Sequence, residues 1–160
     1  EAYQGEETCT FAEYRLNSIS EQMSELGQYL VSYEEKSLFN DAEFEYLARR
    51  YFLLEIKAFM LVEDLSAKCG VNTSYVLFFY GPEDTDSERQ GYVLDSLVSR
   101  EDYDLDVFSI NKDFEGDGAI DSLILYYNIT NTPTIIVNGD TKLEGYVSYG
   151  EILELLANEE

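Results

Sequence analysis

The stretch Tyr127-Asn128-Ile129-Thr130-Asn131-Thr132-Pro133-Thr134, continued by Ile135-Ile136-Val137-Asn138-Gly139 and then by Gly145-Tyr146-Val147-Ser148, decides the fold. Residues 134–137 read as a short buried strand. Asn138-Gly139 is a strong hairpin signal, because both residues tolerate the positive φ that a tight two-residue turn requires. Residues 142–147 read as the returning strand. Upstream, Ile120, Leu123, Ile124 and Tyr127 mark a short helix. Downstream, Ile152, Leu153, Leu155 and Leu156 build a closing helix.

Working towards the N-terminus, Leu105, Val107, Phe108 and Ile110 mark a further strand. Before it, Thr85-x-x-Glu88 has the form of a capping box for a helix over about 86–99, with Val93, Leu94 and Leu97 on its inner face. Tyr75-Val76-Leu77-Phe78-Phe79-Tyr80 is an unbroken apolar run, as expected of a strand buried on both faces, and Gly81-Pro82 ends it. The order from Tyr75 onward is β-α-β-α-β-β-α, an α/β arrangement. Its first crossover sets two parallel strands side by side, and the hairpin adds an antiparallel edge.

The first part of the chain is helical. Leu16, Ile19, Met23, Leu26, Leu30 and Tyr33 alternate at spacings of three and four over residues 10–34. Phe44, Leu47, Tyr51, Leu54, Ala58, Leu61 and Leu65 do the same over 41–67, with Asn40 or Asp41 as the cap. The short link between them predicts an antiparallel helical hairpin. Such a seam pairs within the chain or, as a homodimer, with a second copy.

The chain has two cysteines, Cys9 and Cys69, and no histidine. They are either two inert buried thiols or one disulfide. The hairpin favours the disulfide, since Cys9 precedes the first helix and Cys69 follows the second, so both fall at the open end. The bond would close a loop of about 60 residues, worth roughly 4 kcal/mol in the chain-entropy account. It implies an oxidising compartment.

The 160 residues carry 33 acids against 10 bases, a net charge of −23. That surface repels phosphate backbones, which argues against nucleic acid as a partner. Apolar content is 45%, with 14 Tyr and 9 Phe, as expected of a globular chain. No run approaches the ~18–20 apolar residues of a membrane span. The chain begins at Glu1 without Met, which implies that an N-terminal piece was removed; if that piece was a signal or anchor, the protein works outside the cytoplasm, secreted, periplasmic-like or membrane-tethered.

From residue 75 to 158 the chain resembles the thioredoxin-like superfamily. The resemblance is carried by Tyr127-x-Ile129-x-x-x-Pro133-Thr134, by the strand and helix order, and by Gly145-x-x-Ser148-x-Gly150 at the turn into the last helix. It implies a cis bond at Thr132-Pro133 beside the family's active-site edge, and a division into a hairpin clipped by Cys9 and Cys69 over 1–70 and a thioredoxin-like domain over 71–160. In that family a nucleophilic cysteine starts the first core helix, where free N–H groups and the helix dipole lower its pKa. Here the matching window reads Glu83-Asp84-Thr85-Asp86-Ser87, so no thiolate forms there. Ser87 is no substitute nucleophile, for there is no His to activate it. The acids of this window cap the helix and complement its dipole, bind a cation, or face a basic partner.

The expected function is therefore a redox-inactive, non-enzymatic thioredoxin-like domain without a cofactor, binding a protein or peptide around Tyr80, Gly81, Pro82, Glu83, Asp84, Thr85, Asp86, Ser87, Thr132 and Pro133. The alternatives are an acidic calcium- or cation-binding protein of calsequestrin-like character and a structural oligomerisation module. Asp113-x-Glu115-x-Asp117-Gly118-x-Ile120-Asp121 resembles the start of a calcium loop. Its twelfth position is Ile124 and a strand precedes it, so a Gly-rich turn into a helix is the preferred reading. Asn72-x-Ser74 and Asn128-x-Thr130 match the glycosylation sequon, a triplet that also arises by chance.

Overall fold

The computed structural model describes residues 2–36, 41–114 and 116–158. Asn40, one of the two expected caps, and Glu115, of the calcium-like loop, lie outside the described residues, as does the Tyr33 side chain of the seam. The chain divides into two compact units, Glu1–Val71 and Asn72–Glu160.

The first unit is a pair of long helices, α1 (Ala2–Lys36) and α2 (Asp41–Cys69). Cys9 and Cys69 are joined by a disulfide, with Cα atoms 5.8 Å apart. Two expectations need correction. Cys9 lies inside α1 and not before it, and Cys69 is the last residue of α2. The segment before Thr10 has no apolar period, but it also has no proline, so the helix extends through it. Second, Phe44, expected in the seam, is exposed. Leu54, Ala58 and Leu65 are buried as the spacing predicts, but so is a second stripe, Ala48, Phe52, Ile56, Phe59 and Val62. Among the described residues no helix is long and apolar enough to cross a membrane.

The second unit runs β1 (Ser74–Tyr80), α3 (Thr85–Val98), β2 (Leu105–Asn111), α4 (Gly118–Tyr126), β3 (Thr134–Val137), β4 (Thr141–Glu144) and α5 (Tyr149–Ala157). The sheet order is β2-β1-β3-β4. β1 pairs parallel with β2, Val76 opposite Val107, and antiparallel with β3, Phe78 opposite Ile135. β3 and β4 form the antiparallel hairpin, Val137 opposite Thr141. Asn138 and Gly139 take φ of 50° and 82°, the left-handed values for which that pair was read as a turn.

β1 is buried on both faces, every residue from Tyr75 to Phe79 being covered. Val76 and Phe78 pack with Leu94 and Leu97 of α3, Ile135 and Val137 of β3, and Ile152 and Leu156 of α5. The alternate residues Leu77 and Phe79 project from the other face, where the Phe79 ring meets Tyr127 at 6.5 Å just beyond α4. β4 stops at Glu144, short of the expected Val147. Gly145 takes φ of 79° and turns the chain out of the sheet.

Candidate functional site

β1 ends at the half-buried Tyr80, whose ring lies 5.7 Å from Phe78. The chain then makes a tight turn, with the Asp84 N–H donating to the Gly81 carbonyl at 3.2 Å. A side chain at position 81 would be crowded: its Cβ would stand 3.0 Å from Thr132 Oγ1 and 3.3 Å from Asp84 Cβ, so these neighbours would have to give by a few tenths of an ångström. The glycine thus lets two segments, 48 positions apart in sequence, approach each other.

Asp84 is the N-cap of α3, in extended conformation. This displaces the expected Thr85-x-x-Glu88 box by one residue. Asp84 Oδ1 accepts the Asp86 N–H at 3.1 Å. Its Oδ2 accepts the Ser87 hydroxyl at 2.8 Å and the Thr132 hydroxyl at 3.0 Å. The buried Ser87 Oγ accepts in turn the Gly81 N–H at 3.1 Å. Pro82, Glu83, Thr85 and Asp86 are exposed around this network. Asp86 pairs with Arg89 at 3.1 Å, and Arg89 also lies over the Tyr146 ring.

The Asp84 carboxyl is held below its ordinary value of 3.8. The Ser87 hydroxyl is the main cause; desolvation opposes it, and the Thr132 hydroxyl and the N–H groups of Asp86 and Ser87 add to it. A carboxyl whose folded pKa is depressed contributes stability that is complete above 3.8 and is lost as pH falls through the lower folded value. Asp84→Asn keeps a capping acceptor and removes the charge. The variant should melt below the parent at neutral pH, and the gap should close as both are acidified to about pH 2. Thermal melts across that range check it, and a gap independent of pH contradicts it.

The Thr132-Pro133 bond is cis, and the Pro133 carbonyl accepts the Gly145 N–H at 2.8 Å. A parallel β-α-β unit and an antiparallel β-β-α unit thus share one sheet, with the cis proline entering β3 and facing the N-terminus of the helix after β1. The second unit has the thioredoxin-like fold. Similar solved structures include one described as that of a malarial protein, at 20% identity and TM-score 0.47, covering 54% of this chain and 97% of that one. Chloroplastic thioredoxin z aligns at 18% identity and TM-score 0.49, covering 62% and 87%. A thioredoxin-like protein of Edwardsiella tarda aligns at 19% identity and TM-score 0.49, covering 62% and 91%. No family model and no curated relative matches the chain.

The calcium-like loop lies elsewhere. Asp117 is buried and caps α4, its Oδ1 accepting the N–H groups of Ala119 and Ile120 at 2.9 and 3.2 Å. Asp113 and Asp121 are exposed. Among the described residues no group of three or more His, Cys, Asp or Glu is placed to hold a metal ion.

Sequence reading missed Gln90. It is fully buried in α3, and its amide clasps the backbone of Val147: Nε2 donates to the carbonyl at 3.2 Å and Oε1 accepts the N–H at 2.7 Å. The available signal was its place at i−4 and i−7 from Leu94 and Leu97, a polar residue on an apolar helix face.

Proposed function

We propose that this protein is a non-catalytic thioredoxin-like domain working outside the cytoplasm, and that it binds an extended protein or peptide segment at the edge formed by 80–87 and Thr132-Pro133. The carrying observation is the Asp84–Ser87–Thr132 network. Asp84 and Ser87 stand three residues apart at the start of the first core helix, the spacing of a Cys-x-x-Cys pair. Dithiol exchange requires a thiolate that attacks a sulfur, and a carboxylate bonded to two hydroxyls supplies none. Both cysteines of the chain are joined to each other in the first unit. The disulfide also supports the compartment, because such bonds persist where the surroundings are oxidising.

An insulin-reduction assay with dithiothreitol tests this reading. The protein should not accelerate insulin precipitation over the reductant alone. Titration with alkylated insulin B chain, as an extended probe, should shift backbone amide resonances of residues 81, 83–87 and 134. Robust dithiol turnover, or shifts confined to other residues, would overturn it.

A further inference from the structure

Leu125 and Tyr126 are the most exposed large apolar residues described, at 80% and 79%. They are adjacent and end α4. Tyr126 is held in T-shaped contact with Tyr127, ring centroids 4.7 Å apart, and still faces solvent.

A sequon, Asn128-Ile129-Thr130, begins two residues beyond Tyr126. The helix closes in a Schellman turn. Ile129 N–H donates to the Ile124 carbonyl at 2.9 Å, and Asn128 N–H donates to the Leu125 carbonyl at 3.2 Å. Asn128 takes the left-handed position of this turn, φ 52°. Lys142 Nζ holds its carbonyl at 2.9 Å. Ile129 is buried, and this anchors the centre of the triplet while Asn128 and Thr130 are exposed on either side. Among the described residues nothing hydrogen-bonds the Asn128 side-chain amide.

A fixed turn therefore presents, in order, an exposed aromatic ring, an asparagine two residues on with a free amide, and an exposed threonine two residues beyond that. A pyranose ring attached to that amide has a face of C–H groups, which packs on an aromatic face as any apolar surface does. We propose that Asn128 carries an N-linked oligosaccharide whose first sugar lies on Tyr126 and covers Leu125. In the transfer, the Asn128 amide nitrogen bonds to C1 of an oligosaccharide carried on a polyprenyl phosphate. The bond from C1 to the phosphate oxygen breaks, the lipid phosphate leaves, and the amide loses one proton. A separate membrane transferase catalyses the step, and no oxidant or reductant is involved.

The other sequon lacks this setting. Asn72 is exposed, but Thr73 bonds Asp104 at 3.0 Å and Ser74 opens β1, and no exposed large apolar residue adjoins it. The proposal rests on the extracytoplasmic part of the function proposed above. Peptide mapping by mass spectrometry of protein isolated from its own source tests it, with a thiol count on the same sample. Asn128 should carry hexose-containing mass, and Asn128→Gln should lose that glycan entirely. A bare Asn128 overturns the proposal. If Cys9 and Cys69 are then still oxidised, the compartment reading survives; if they are free thiols, both fall. Tyr126→Ala leaves the sequon intact and should shrink the melting-temperature gain that the glycan gives the parent. An unchanged gain overturns the stacking contact.

Discussion

Gln90→Leu should destabilise the second unit by roughly 2–6 kcal/mol, the cost of leaving two buried backbone groups unsatisfied at about 1–3 kcal/mol each. Leucine fills much of the same space, so the loss is not one of volume. What disappears is the partner of the Val147 N–H and carbonyl, both held by one amide in the interior. The same substitution should loosen the site. Val147 follows Gly145, whose N–H holds the Pro133 carbonyl, while Gln90 belongs to the helix that Asp84 caps. Gln90 therefore ties the two halves of the Asp84–Thr132 contact to each other from below. Gln90→Glu separates polarity from shape. As a carboxylate it accepts the Val147 N–H but donates nothing to the carbonyl, so its deficit should shrink in acid, where the protonated form donates. Urea unfolding of the full chain measures both variants. A loss for Gln90→Leu below about 0.5 kcal/mol would mean that water already reaches Val147.

The same residues show what was legible beforehand. The order of strands and helices in the second unit could be read because each apolar run has one period and one length, and because Asn138-Gly139 signals its turn without help from the rest of the chain. Local signals failed where a distant partner decides. Asp84 and Thr85 are equally good caps by type. The register is settled by Ser87 on one side and by Thr132, 48 residues away, on the other. Tyr146 and Val147 continue an alternating pattern that reads as strand, yet Gly145 turns the chain and Gln90 captures Val147. The sulfur pairing of the first unit was legible from topology, but the place of Cys9 within its helix was not, since nothing apolar marks the helix before Phe11. In α2 the expected stripe is only one of two that are buried, and a period fitted to one face cannot reveal a second. Of the candidate site, the window 83–87 and the cis proline are what the resemblance to the thioredoxin-like superfamily implied. The hydrogen-bonded chain Gly81–Ser87–Asp84–Thr132 was not implied by it, because it depends on a close backbone approach that only the folded sheet creates.

Reducing the Cys9–Cys69 bond should cost the first unit about 4 kcal/mol, since the cross-link removes the closure entropy of a long loop from the unfolded chain; the two residues are 60 apart in sequence. The effect should fall unevenly. Among the described side chains of α1 only Ile19 is buried, while Leu16, Met23, Leu26 and Leu30 are half-buried. Phe11 and Tyr14, the large apolar residues nearest Cys9, are exposed. The described side chains of residues 7–14 are thus mostly exposed, and helix held by so little packing is marginal by itself. With the bond cut, helix should be lost first from the segment around Cys9 and last from the seam around Ile19 and Leu54. The Cys9→Ala, Cys69→Ala double variant should behave like the reduced parent, which separates loss of the bond from any effect of the reductant. Urea titrations followed by far-ultraviolet circular dichroism, with hydrogen exchange to locate the loss, read the result. Superimposable curves for oxidised and reduced protein would mean that helix packing alone sets the stability of the hairpin. Preferential exchange near Leu30 and not near Cys9 would mean that the half-buried seam, and not the exposed residues around Cys9, is the weak part that the bond restrains.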